Sequence, residues 1–149
     1  MKNTHNFETY LDMDNIRHRK AITKIRTSSH RLRIETGRWN NMQREQRICE
    51  NCALEKIDDE NHFLFECRMH ICERNELINF IISKTNTSFS ASPSFENKSR
   101  EIFKSDDLSI LNALGKYIKN AFEKRENTTC YCLPQHYVLY LRNTKRNRK

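Results

Sequence analysis

Glycine and proline number only two each among 149 residues. Sandwiches and barrels turn the chain tightly and often, and such turns draw on these two residues. Their scarcity therefore argues for helices over sheets. No apolar run reaches the length of a membrane span, so no membrane partner is expected. The first eight residues are polar where a secretory leader would be apolar. The expectation is an intracellular protein, nuclear or cytoplasmic, and not a secreted one. Several catalytic signatures are also missing from the sequence: H-E-x-x-H, a Walker phosphate loop, and H-x-E with P-C-x-x-C.

What is present begins with charge. The chain carries a net +8, unevenly spread. Residues 17–48 hold ten Lys or Arg against two acids, and residues 142–149 hold five basic residues and no acid. Two basic regions thus flank an acidic centre. A surplus of this size favours a polyanion, with RNA or DNA held by its phosphate backbone the foremost partner. The plainer alternative is a solvated basic face that keeps the protein soluble.

Hydrophobic spacing predicts a helix over residues 15–27, with His18, Ala21, Ile22 and Ile25 on one stripe. Arg17, Lys20 and Lys24 flank that stripe on one side, and Arg19 and Arg26 on the other. Residues 28–39 suggest an ordered connector turning at Gly37. A second helix is predicted over 69–83, its apolar side made by Ile71, Leu77, Ile78, Ile81 and Ile82. Residues 84–94 form a polar loop, and a short helix follows over 95–104. The clearest helix starts after Ser105 or Asp106, either of which can cap it. Its broad face holds Leu108, Leu111, Leu114, Tyr117, Ile118, Ala121 and Phe122. A short apolar run, 137–141, precedes the basic tail. The organisation expected is an extended lead-in over 1–14, one zinc-binding helical domain over 15–141 and the basic tail over 142–149.

Six cysteines in a reducing setting suggest metal before disulfides where their spacing is paired. Cys49 and Cys52 form a C-x2-C turn, and His62 and Cys67 follow as H-x4-C, nine residues on. Four soft or borderline donors suit one tetrahedral Zn2+. With every position filled by protein, no water can be activated there, and such a site is structural. Residues five apart on an ideal α-helix are about 140° out of phase. His62 and Cys67 therefore require a helix end or a distorted turn.

Other groups carry weaker signals. Asp58, Asp59 and Glu60 precede the apolar run at Phe63 to Phe65 and favour a helix N-terminus. Their functional alternative is a carboxylate cluster for a catalytic Mg2+. Phe63 and Phe65 fit core packing around the metal turn. Cys72, Cys130 and Cys132, with His70, could build a second site, but H-x-C and C-x-C spacings are weak, and buried or idle thiols are the simpler reading. The acids of Tyr10-Leu11-Asp12-Met13-Asp14 are spaced wrongly for a polymerase Y-x-D-D. Trp39 suits either a core or a stack on a base.

Three segments taken together resemble a known region. They are Arg31 to Trp39 (RLRIETGRW), Arg47-Ile-Cys49-x2-Cys52, and Asp59-Glu60-x-His62-Phe-Leu-Phe-x-Cys67. They are similar to the C-terminal zinc-binding region that follows the polymerase domain in many non-LTR retrotransposon reverse transcriptases of animals. Looser similarity continues through Arg74 and the 108–125 helix. The resemblance implies the same four zinc ligands and a role in holding element RNA or target DNA. It also implies a detached tail, without polymerase activity of its own. The nine-residue gap departs from the C-x2-C-x4-H-x4-C knuckle of retroviral nucleocapsids, so that knuckle's base reading is not carried over.

The combined expectation is a mostly α, single small domain with a zinc-stapled CCHC turn and a helical bundle. Its expected function is non-enzymatic, zinc-dependent nucleic-acid binding. Arg17, Arg19, Lys20, Lys24, Arg26, Arg31, Arg33 and Arg38 are the expected phosphate contacts. The alternative is a protein-interaction module of retroelement origin, with a reverse transcriptase or another protein as partner.

Overall fold

The computed structural model describes residues 8–85 and 102–127. Among them helix dominates, and sheet pairing is confined to a single antiparallel bridge, Ile48 with Ile57. The expected mostly helical class is what the structure has. The polar loop beyond Thr85, most of the short helix over 95–104, Cys130, Cys132, the 137–141 run and the basic tail lie outside the described residues. Two compact units divide the chain. One comprises Met1–Ser29 and Asn75–Lys119, the other His30–Arg74 and Asn120–Lys149.

In the first unit, a turn of 3-10 helix at Thr9–Asp12 leads into α1, Ile16–Arg26. Asn15 caps α1: its side-chain oxygen accepts from the N–H groups of Arg17 and His18, at 3.1 and 3.2 Å. Ala21, Ile22 and Ile25 are buried along the stripe expected for them. Arg19 donates to the carbonyls of Leu11 and Met13, tying the lead-in to α1.

The helix Leu108–Asn127 begins one residue later than expected. Asp107 is its cap, accepting from the Ser109 N–H at 2.7 Å. Hydrogen bonds from Ser109 hold the Asp107 carboxyl below its ordinary range, so this cap is lost as pH falls through that lowered value. Leu111, Leu114, Tyr117, Ile118 and Ala121 are buried as expected, whereas Leu108 is exposed.

Gly115 occupies a contact that no side chain could. A Cβ there would lie 2.5 Å from the His18 Cβ and 2.8 Å from the His18 carbonyl oxygen. Alanine in a helix interior normally gains about 1 kcal/mol over glycine. Here the clash with backbone reverses the sign. Gly115→Ala is expected to lower unfolding free energy by about 1–3 kcal/mol in denaturant titrations.

The second unit contains α2, Arg33–Trp39, where a connector was expected. Gly37 is buried inside α2 and makes no turn; its φ is not positive. Its role is close approach, since a Cβ would sit 2.6 Å from the Arg47 Cγ. That arginine cannot easily move. It donates to the carbonyls of Met42 and Ile34 at 2.7–3.1 Å. The start of α2 lacks a local side-chain cap. Asp58, distant in sequence, supplies it: its Oδ2 accepts from the Arg33 N–H at 3.0 Å and its carbonyl from the Ile34 N–H at 3.1 Å.

The helix α3 runs Ile71–Thr85, after a 3-10 turn at Arg68–His70. Leu77 and Ile81 are buried, but Ile71 and Ile82 are exposed, against expectation. The inward stripe passes through Arg74, Leu77 and Ile81, and Arg74 is its polar member. Its guanidinium donates to the carbonyls of Leu64 and Cys67. The helix Leu108–Asn127 is α4, and Lys124 near its end pairs with Glu73 at 2.8 Å.

Candidate metal centre

Residues 47–58 double back on themselves. The Cys49 N–H donates to the Lys56 carbonyl and the Asp58 N–H to the Arg47 carbonyl, both at 2.8 Å. Glu55 takes a left-handed conformation, φ 50°, to complete the reversal. Cys49 and Cys52 lie within this loop, and both are buried.

The other pair, His62 and Cys67, rests on an uncommon backbone. His62–Glu66 forms a π-helical turn, closed by a Cys67 N–H to His62 carbonyl bond of 2.7 Å. A π turn bonds each residue to the fifth along, not the fourth. It therefore brings into register two side chains that an α-helix would hold about 140° apart. This is the distortion the H-x4-C spacing demanded. Asp59 starts the turn, its carboxylate accepting from the His62 N–H at 2.9 Å. Arg74 secures its end through the Cys67 and Leu64 carbonyls.

The donor atoms of Cys49, Cys52, His62 and Cys67 all lie within 4.8 Å of one another, and all four residues are buried. Cys49 Sγ is 4.0 Å from Cys67 Sγ, and Cys52 Sγ is 3.3 Å from His62 Nε2. The four can hold a metal ion. Burial alone would lower the His62 pKa, but the three cysteines around the ring outweigh it and push it up to about 12. The other ring nitrogen, Nδ1, is buried without a hydrogen bond and faces Glu66 Oε2 at 3.6 Å. A carboxylate in that place suits a ligating imidazole, whose second nitrogen is usually oriented this way.

Arg125 was not singled out from the sequence, yet it joins the most parts of the centre. Its Nη1 donates to both Asp58 oxygens at 2.9 and 3.0 Å, and its Nε to His70 Nε2 at 3.1 Å. Its Nη2 reaches the sulfurs of Cys49 and Cys67 at 3.8 and 3.9 Å. The guanidinium also lies over the Phe63 ring, 4.8 Å from its centroid. Burial would lower the Arg125 pKa, but Asp58 and the two cysteines raise it, so the group stays charged. His70 moves the other way. Burial, then the charges of Arg125, Arg74 and Lys124, lower its pKa to about 2. It is neutral and accepts at Nε2. Phe63 completes the packing, stacked on Phe122 at 4.5 Å and edge-on to His70 at 5.1 Å.

The three acids before the π turn are each engaged. Asp58 binds Arg125 and caps α2, Asp59 caps the π turn, and Glu60 meets the buried His30 at 2.8 Å. These partners leave no shared carboxylate cluster of the kind a Mg2+ site requires.

The eight expected phosphate contacts divide in two. Arg17, Lys20, Lys24 and Arg31 are exposed and make no ion pair among the described residues. The other four are engaged: Arg19 with the lead-in carbonyls, Arg26 with Glu8 at 2.5 Å, Arg33 with Glu50, and Arg38 with Glu35 at 2.5 Å. Trp39 does not pack in a core, since it is 61% exposed at the end of α2. Cys72 is disulfide-bonded and not an idle thiol; sequence spacing cannot show which sulfurs meet in space.

Fold and site together define a small helical chain with a buried Cys3His cage able to hold a metal ion. No family model matches the chain, and no curated protein or solved structure matches it. Among the described residues, no helix is long and apolar enough to cross a membrane.

Proposed function

We propose that the cage holds one structural Zn2+ and that the chain is a non-enzymatic nucleic-acid-binding module, akin to the C-terminal zinc-binding region of non-LTR retrotransposon reverse transcriptases. The donor spacing supports zinc. Tetrahedral Zn–S bonds of about 2.3 Å and Zn–N bonds of about 2.0–2.1 Å put sulfurs about 3.8 Å apart and sulfur about 3.6 Å from nitrogen. One sulfur–sulfur edge of the cage is 4.0 Å and one sulfur–nitrogen edge 3.3 Å, and no two of the four donors are more than 4.8 Å apart. Three thiolates and a neutral imidazole leave the zinc centre with a surplus negative charge. Arg125 offsets it from within hydrogen-bonding reach of two of the sulfurs.

The observation that carries the nucleic-acid reading is the free row of cations on α1. Arg17, Lys20 and Lys24 recur at helical spacing, so they share one face over about 10 Å of helix. All three are exposed and unpaired among the described residues. Such a row binds phosphates without reading sequence. Its test is affinity for RNA and DNA as a function of salt. Each phosphate contact contributes about 0.7–0.9 to the logarithmic slope. The doubly reversed variant Lys20→Glu/Lys24→Glu is expected to flatten the slope by about 1.5 or more. A wild-type affinity indifferent to salt would remove the reading.

A second reading, a protein-interaction module of the same origin, is favoured by the exposed Trp39. Its partner would be a reverse transcriptase or another protein. There the double reversal leaves partner binding intact and Trp39→Ala abolishes it.

A further inference from the structure

Beside the metal cage in the second unit is an open cleft of about 230 Å³. This is smaller than the roughly 300–1,000 Å³ of sites for drug-sized ligands. Its walls combine the start of α2, the loop between the paired cysteines, and the end of α4. Arg31, Arg33 and Arg125 line it, and so do Glu50, Asp58 and Glu126. With cations and acids equal in number, the cleft has no net attraction for a phosphate. Two of the arginines are already neutralised, Arg33 by Glu50 and Arg125 by Asp58.

What remains is a set of unengaged groups around apolar surface. Arg31, Asn51 and Glu126 line the cleft, and their side chains make no hydrogen bond or ion pair among the described residues. Leu32 and Phe122 supply the apolar part, and Phe122 is fixed by its stack on Phe63. Asn51 is held in place because it lies between the ligands Cys49 and Cys52. An aromatic surface, a free guanidinium, a free amide and a free carboxylate are what an unpaired base requires.

We propose that this cleft receives one unpaired base of a single-stranded nucleic acid, with guanine its best fit. This rests on the nucleic-acid reading above. Guanine offers acceptors at O6 and N7, which a guanidinium grips as a fork. Its N1–H and N2–H2 are two adjacent donors, which a carboxylate accepts together. Adenine, cytosine and uracil present no such pair of adjacent donors. Arg31 meets the acceptor edge, Glu126 the donor edge, and Phe122 the apolar body of the base.

The test uses the full chain loaded with zinc and fluorescein-labelled oligouridylate strands of about ten nucleotides. One central uridine is replaced in turn by guanosine, adenosine or cytidine, and affinity is read by anisotropy. The guanosine strand is expected to bind roughly fivefold tighter than the others. Glu126→Gln is expected to erase that preference, bringing all strands within about twofold of one another. Glu126 is exposed, and zinc content of the variant confirms an intact centre. Equal affinity for all four strands, with the salt slope retained, overturns the cleft and leaves the nucleic-acid reading standing. So does a guanosine preference that survives Glu126→Gln. Binding to no strand at all overturns both.

Discussion

Stripping the metal with a strong chelator at neutral pH should unfold the second unit. The measurement is far-UV circular dichroism during chelation, with refolding on re-addition of zinc. Structural zinc contributes about 10–16 kcal/mol in small zinc-folded peptides. That is comparable to the entire stability of an ordinary domain, about 5–15 kcal/mol. The second unit's described residues contain one short complete helix, two 3-10 turns, one π turn, one bridge and the adjoining ends of α3 and α4, and its core includes a cluster of Cys49, Cys52, Cys67 and Met69. Three of those four belong to the Cys3His cage. Without the ion, the cysteines crowd one another and the imidazole, and the π turn loses the reason for its unusual register. A chain that keeps its full helical signal after complete metal removal would show that packing alone holds this unit.

Replacing Arg125 should be the most damaging single change outside the four residues of the cage. Arg125→Met keeps most of the side-chain volume over Phe63 but removes the charge and every donor. Asp58, 3% exposed, is then left as a buried carboxylate without its countercharge. Breaking one partner of a buried pair costs about 3–5 kcal/mol. The same change withdraws N–H groups from Cys49 and Cys67, so metal is expected to dissociate faster as well. Urea denaturation of the zinc-loaded variant reads the first effect, and transfer of zinc to a coloured chelator reads the second. Arg125→Lys keeps the charge without the fork, and its loss is expected to be smaller but still evident. Pairing Arg125→Met with Asp58→Asn is expected to cost less than the sum of the two single changes, since each removes what the other leaves unpaired. A stability loss under about 0.5 kcal/mol for Arg125→Met would deny the network its role.

The four residues of the cage were legible because their spacing suits tetrahedral chemistry. C-x2-C is a local geometric requirement, and H-x4-C announced its own conflict with the α-helix, which the π turn resolves. Helices α1 and α4 were legible for a similar reason, their apolar residues recurring with the helical period. The connector at 28–39 was misread because Gly37 has a local signature of a turn. Its actual cause, the packed Arg47, lies ten residues away and leaves no local trace. Asp58 capping α2 is hidden in the same way, since a cap supplied from another segment cannot be seen in the capped sequence.

Arg125 did leave a signal. It continues the stripe of Leu114, Ile118 and Ala121 at helical spacing, a cation in an otherwise apolar face. A charge in such a position is buried only when paired, and the pairing partner is the question to ask. Arg74, ahead of Leu77 and Ile81 on α3, is a second instance. The exposure of Trp39, and the engagement of Arg26, Arg33 and Arg38 by neighbouring acids, depend on tertiary placement that spacing does not encode.

The central claim is that Cys49, Cys52, His62 and Cys67 close around one zinc ion. Elemental analysis of the purified full chain, beside Cys52→Ser, tests it most directly. The expected result is about one zinc per wild-type chain, and in the variant a loss of metal accompanied by unfolding. A wild-type chain that folds without metal, or a Cys52→Ser variant that keeps a full equivalent of zinc, would contradict it.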